Sequence, residues 1–231
     1  GPVEFDVVLP DDRMVGPPGD GASSNDEAVN AVGMVMYGAL YNGVAMGALD
    51  LAKRYTTQRR HANFNQSVAD YPTTHNIYGK SVVDTQASRI YLFSFCQQLD
   101  RCTNNGDWTM YETNPDARPR SPYILWGLNA KEKAARVASE VTERMFRLFG
   151  GAGFSRKLEI ERLLRDSKAG WVMGPSNEVT RGLVGRWALH GAEAVDWWNQ
   201  RPNQDLLNAE LGKLDKQGKK NLIEQLRKEL V

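Results

Sequence analysis

Cysteine is scarce: the 231 residues contain two, Cys96 and Cys102. They lie six positions apart with no metal-ligand spacing around them, so they read as reduced thiols on a helix rather than a disulfide framework. The three histidines, His61, His75 and His190, are scattered and show no metal pattern either. An excess of one charge is missing too. With 29 Lys and Arg against 28 Asp and Glu the formal net charge is +1, which gives no global pull toward nucleic acid or an anionic membrane. No positively charged leader precedes an apolar run, so no signal peptide is expected and a cytoplasmic setting is. Strand-like segments are nearly absent, and no internal repeat is visible.

One stretch lacks charge altogether. Residues 28–49 are long enough to span a bilayer. They also hold Asn30, Asn42, two tyrosines and four glycines, Gly33, Gly38, Gly43 and Gly47, with no basic cluster as an anchor. The run is therefore expected to be the central helix of a bundle, whose glycines admit close neighbours, and not a membrane span.

Hydrophobic residues make up 41% of the chain, enough for a sizeable core. Residues 3–8 (VEFDVV) alternate and predict one strand. Residues 11–22 are rich in Gly and Pro and predict a loop. Ser24 and Glu27 have capping-box spacing, predicting a helix from there to about Arg60. A polar stretch, 61–71, ends at Pro72, and a second helix is predicted over about 73–99. Residues 104–122 hold Gly106, Pro115, Pro119 and Pro122 and predict a long surface loop. A third helix is predicted over about 125–149, where Ala134, Val137, Val141, Met145 and Leu148 recur at helical spacing. Gly150, Gly151 and Gly153 break it. A short helix follows over about 158–168, and a fifth from Pro175 to about Trp198. After Pro202, residues 206–214 and 222–231 predict two amphipathic segments hinged at Gly218. Long helices joined in antiparallel fashion, with one stray strand, define an all-α bundle.

Three segments in order resemble the acyl-CoA dehydrogenase family: residues 3–21, VEFDVVLPDDRMVGPPGDG; residues 48–59, ALDLAKRYTTQR; and FGGAGF at 149–154 followed by ERLLRDSKAGWVMGPSNEV at 161–179. The resemblance implies an antiparallel four-helix bundle of that family's carboxy-terminal type. Residues 1–22 would be the last strand and loop of its middle β domain, 23–200 the bundle, and 201–231 a helical tail. It also implies that the chain is a fragment, a cleaved product or a split protein.

The chemistry implied is FAD-dependent α,β-oxidation of an acyl thioester such as an acyl-CoA. That reaction needs a positioned carboxylate as base, while the flavin carries the redox work. The two places where the family keeps this glutamate fall on Gly174 and Gly33, neither of which can take a proton. The nearest carboxylates in sequence are Glu178 and Glu27. Each also reads as structural, Glu178 as an acid at a helix start and Glu27 as the capping-box acid. On the cofactor side, Arg59 matches the arginine that reaches the flavin pyrophosphate across a subunit interface, since a guanidinium fork suits phosphate. It also reads as a solvated helix-end arginine beside Arg60. The family glutamine that follows falls on Pro72. Gly150, Gly151 and Gly153 would let backbone approach the cofactor or simply end a helix. Ser176 would donate a hydroxyl to the adenylate half or cap the next helix. Arg165 and Asp166 read as a structural ion pair.

Trp187, Trp197 and Trp198 read as packing. Lys213, Lys216, Lys219, Lys220, Arg227 and Lys228 read as the wet side of an amphipathic helix or as a docking face for a partner. The expected partners are an acyl thioester and further subunits, in a homo- or hetero-oligomer, without nucleic acid. Two rival functions stay open: a non-catalytic oligomerisation subunit of such a complex, and a relative using the fold for monooxygenation or DNA binding.

Overall fold

The structure, a computed structural model, describes residues 3–14, 18–19, 21–191 and 211–229. Contacts divide the chain into two units, Gly1–Val184 and Gly185–Val231.

The first long helix starts earlier than its capping-box motif suggests. A short α1 (Gly21–Ser24) widens into a π-helical stretch (Asn25–Asn30) and continues as α2 (Ala31–Gln58). Ser24 already has helical backbone angles and makes no capping bond. Glu27 is not available to complete a box, because its side chain is buried and turned toward a distant segment. By length and composition Asn25–Gln58 could cross a membrane. In this structure one side of it is the centre of the bundle.

α2 ends at Gln58, and the polar stretch after it folds into a small hairpin that its composition did not suggest. β1 (Arg60–His61) pairs antiparallel with β2 (Gln66–Ser67). Ser67 and Asp70 form a capping box at the next turn. Pro72 occupies the first turn of α3 (Pro72–Cys102), where a missing N–H costs nothing. The loop that follows carries α4 (Thr109–Thr113) and leads to α5 (Ile124–Phe149). Gly150 ends α5 with φ +55 and ψ −143, a conformation that a side chain would strain. α6 spans Ile160–Val172 and α7 Asn177–His190. α7 stops short of the predicted Trp198 because Gly191, at φ +86, terminates it with its N–H on Trp187 O. In the second unit, Gly218 lies inside α8 (Lys216–Glu229) rather than at a hinge, its N–H held by Asp215 Oδ1 at 2.7 Å. Residues 192–210 lie outside the described residues, and with them Trp197, Trp198 and the predicted break at Pro202.

The four long helices form the predicted bundle. Tyr41 of α2 sits beside Gly170 of α6, and Gly47 beside Leu163, so these two run antiparallel. Gly38 meets Leu92 and Leu49 O accepts from the Tyr78 hydroxyl, so α3 is antiparallel to α2 as well. Gly127 meets Met34 and Tyr55 stacks on Phe149, so α2 and α5 run parallel. This pair forms the centre, with α3 and α6 flanking it.

The core follows the spacing that made α5 legible. Tyr41, Ala45, Ala48 and Ala52 of α2 face Ala134, Ala138, Val141 and Met145 of α5, both sets at intervals of four, three and four, with Ile160 of α6 closing one side. Small side chains bring the backbones close. A Cβ on Gly170 would stand 2.7 Å from the Ala135 Cβ and 3.0 Å from the Tyr41 ring. The buried face of α3 is hydroxylic from Thr74 to Ser88 before it turns apolar at Leu92 and Phe95, with Ser81 and Thr85 donating to carbonyls four residues back on their own helix. Asp84 of α3 clamps Arg144 of α5 at 2.7 Å.

Residues 3–10, predicted to hold a strand, form none. A strand is defined by its ladder, and no ladder partner for it exists among the described residues. Phe5 and Val8 are exposed there.

Candidate functional site

The two ends of the bundle carry different chemistry. At one end α2 and α5 finish together. The Tyr55 and Phe149 rings stack at 4.2 Å with 15° between their planes. Arg59 follows Tyr55 by one helical turn, and Gly150 follows Phe149 directly. Arg59 caps α2 with its main-chain N–H on Tyr55 O. Its guanidinium is exposed and makes no hydrogen bond or ion pair among the described residues. Arg60 beside it is engaged, donating to Asn65 O and Oδ1. Gly150 and Gly151 are exposed, and a Cβ on either would meet nothing within 4 Å. Gly153 is buried, its Cβ position 3.2 Å from Phe146 and Phe149, so it serves packing. This end thus carries a cation with no partner among the described residues and open main chain at the ends of two packed helices, groups that can bind an anion.

Gly33 and Gly174 lie toward the other end. The α2–α6 register puts Gly170 beside Tyr41, and the chain from there climbs toward the start of α2, where Gly33 lies. A side chain at either glycine would enter open space, with nothing within 4 Å of its Cβ. No carboxylate occupies either position. Glu178 is exposed in the first turn of α7. The Ser176 hydroxyl accepts the Val179 N–H at 3.3 Å, which is the capping role.

Glu27 is engaged elsewhere. Its carboxylate accepts from the Tyr111 hydroxyl at 2.6 Å, from Arg120 N at 2.8 Å and Nε at 3.0 Å, and from Ser121 N at 2.9 Å. Burial pushes its pKa up, but the Tyr111 and Arg120 side chains and the two main-chain N–H groups pull it below the ordinary carboxylate value. Arg120 is itself buried, against the rings of Trp108 and Tyr111. The predicted surface loop is therefore anchored at its far end by a buried ion pair. Arg165 does not pair with Asp166. Neighbours on a helix point about 100° apart, and Arg165 bonds Glu161 one turn back.

Sequence reasoning missed Lys131. It is fully buried on α5, and its amine donates to Gly170 O, Met173 O, Pro175 O and Asn177 Oδ1 at 2.8–3.0 Å. A signal was present: Lys131 falls on the same stripe as Leu128, Ala135 and Ala138, where a charge is out of place. His61 contacts Tyr71, with Nδ1 3.1 Å from its hydroxyl. Among the described residues no group of His, Cys, Asp and Glu is placed to hold a metal. Cys96 and Cys102 are free and half-buried. Trp187 is partly exposed.

Comparison with known proteins gives the family. The sequence family described as acyl-CoA dehydrogenase, C-terminal domain, matches residues 30–189, and the chain belongs to it. "Probable acyl-CoA dehydrogenase FadE25" of Mycobacterium tuberculosis is 28% identical over 183 residues, 78% of this chain and 41% of that protein. Cyclohex-1-ene-1-carbonyl-CoA dehydrogenase of Geobacter metallireducens is 26% identical over 79% of this chain and 43% of its own length. Butyryl-CoA dehydrogenase from Megasphaera elsdenii shares the fold, with a TM-score of 0.63 at 22% identity over 79% of this chain and 42% of that one. The chain thus spans about two fifths of the length of the relatives it matches.

Proposed function

We propose that this chain is the helical-bundle half of an FAD-dependent oxidoreductase acting on an acyl thioester, working in an oligomer. The observation that carries the reading is the exposed Arg59 guanidinium, without a partner among the described residues, at the bundle end it shares with Gly150 and Gly151, in a member of this family. These residues fit a dinucleotide. Arg59 would neutralise pyrophosphate oxygens, and the main chain at Gly150 and Gly151 would come close without steric hindrance. The bound flavin would supply the hydride acceptor. Bundle packing would hold the arginine and the glycine turn in fixed relation through the Tyr55–Phe149 stack.

Proton removal has no group at the two ordinary positions. Glu27 is saturated by donors that stabilise its charged form, which makes it a poor base. Glu178, exposed at the start of α7, is the carboxylate left to test.

Glycines in open space at both base positions also favour a second reading, a subunit that binds and oligomerises without doing chemistry. One experiment separates the two. The full-length protein is purified, its flavin content is read by absorption, and acyl-CoA is added without oxygen. Bleaching of the flavin band supports the enzyme, and its loss in Glu178→Gln identifies the base. Bound flavin that acyl-CoA leaves oxidised supports the non-catalytic subunit, and a colourless protein removes the flavin assignment.

A further inference from the structure

Gly170 and Met173 close α6, where the last carbonyls of a helix have no partner within it, and Asn177 opens α7. The Lys131 amine reaches both helix ends at once. It donates to Gly170 O at 2.8 Å, Met173 O at 3.0 Å, Pro175 O at 2.8 Å and Asn177 Oδ1 at 3.0 Å. Three N–H groups serve four acceptors, so one bond is shared. A positive charge among helix C-terminal carbonyls is favoured by the helix dipole. Burial holds the amine pKa below its ordinary value, and Glu132 and Glu178 offset only part of that shift. The four oxygens at hydrogen-bond distance favour the ammonium.

A buried charge is costly, and an apolar side chain of the same length would fill the space. What the ammonium adds is direction, since three carbonyls from one turn converge on a single point fixed on α5. We propose that Lys131 is a positioning residue that sets the path of residues 170–177, and with it the place and orientation of position 174. It splices the end of α6 to the start of α7 while touching neither substrate nor cofactor. That position 174 matters for acyl chemistry rests on the proposed function; the control of the turn does not.

The test is amide hydrogen exchange on the full-length protein, comparing Lys131→Met, Lys131→Arg and Met145→Ala with the unaltered chain. Met145 lies in the same core but makes no bond to the turn. Lys131→Met is expected to speed exchange over residues 171–180 at least tenfold while residues 134–145 keep their protection. Lys131→Arg keeps the charge and is expected to retain most protection in the turn. Met145→Ala should loosen residues 134–145 without singling out the turn. Identical patterns in Lys131→Met and Met145→Ala would overturn the proposal, as would unchanged exchange in the turn, or Lys131→Arg exchanging as fast as Lys131→Met. If Lys131→Met fails to fold, Asn177→Ala removes one acceptor and must still quicken the turn selectively; no local change there also overturns it. A wild-type protein without flavin would sink the proposed function and leave these exchange patterns unaffected.

Discussion

Arg120 holds Glu27 twice, its main-chain N–H 2.8 Å from one carboxylate oxygen and its Nε 3.0 Å from the other, across 93 residues of sequence. Both side chains are buried, so removing one partner strands the other. Glu27→Ala is expected to destabilise the protein by about 3–5 kcal/mol, the range for a broken buried pair. Tyr111→Phe deletes the hydroxyl's bond to the Glu27 carboxylate and the one it accepts from Arg120 Nη2, but leaves the ion pair in place, and is expected to cost less, about 1.5–3 kcal/mol. Denaturant unfolding of the two variants measures both, and equal small losses would mean the ion pair contributes little.

The same contact predicts a pH dependence. The folded pKa of Glu27 lies below its ordinary value of 4.5, so the unfolded chain binds more protons in the window between the two. The stabilisation is fully present above the unfolded pKa and is lost as pH falls through the folded one. Glu27→Gln has no such group. Its stability should fall less steeply than that of the wild type below about pH 4.5, and parallel curves would show that Glu27 is not the source.

Periodicity made the bundle legible, and it left the charged clamps out of sight. Ala134, Val137, Val141 and Met145 repeat as an α-helix requires, and all four are buried. The start of the first helix was misread because Ser24 and Glu27 satisfy a local rule that a contact 93 residues away overrides. Lys131 and Arg120 escaped for the same reason, since their partners are main-chain atoms and side chains that sequence spacing does not bring together. The hairpin at β1 and β2 followed from no apolar alternation, being built of polar residues. At the candidate site, Arg59 and the glycine turn were readable from motif order, but their placement at the same end of the bundle depends on the parallel course of α2 and α5, which comes from tertiary packing.

Gly170 has no room for a side chain. A Cβ there would lie 2.7 Å from the Ala135 Cβ and 3.0 Å from two atoms of the Tyr41 ring. Gly170→Ala should therefore destabilise the fold by about 1–3 kcal/mol despite the better helix propensity of alanine. Thermal unfolding checks it, and a raised Tm would show that α6 can slide away without loss.

Arg59 gives the opposite expectation. Its exposed guanidinium has no partner to lose among the described residues, so Arg59→Ala should change stability by no more than about 0.5 kcal/mol, as exposed substitutions do. If it meets a pyrophosphate, flavin content per chain should fall sharply while Tm of the flavin-free protein is unchanged. Unaltered flavin content would take Arg59 out of the cofactor site.

Gly33 and Gly174 offer a gain of function. A Cβ at each would meet nothing within 4 Å, so a side chain can leave the backbone at either position without a clash at its first atom. At Gly33, inside α2, the exchange also removes a residue that costs a helix about 1 kcal/mol relative to alanine, so Gly33→Glu is expected to be at least as stable as the wild type. Gly174 lies between Met173 and Pro175, whose carbonyls Lys131 holds, so a side chain there would project from a fixed turn. If this bundle still binds flavin and an acyl thioester in the family's arrangement, a carboxylate at one of these places stands where an α-proton can be taken. General-base assistance is worth roughly 100- to 10,000-fold in rate. Acyl-CoA-driven dye reduction by Gly174→Glu and Gly33→Glu, each set against its glutamine counterpart, measures it. A rise in the glutamate variants alone would mean that the missing carboxylate is what limits this protein. No rise in either, with flavin bound, would mean that the acyl group no longer lies beside these glycines.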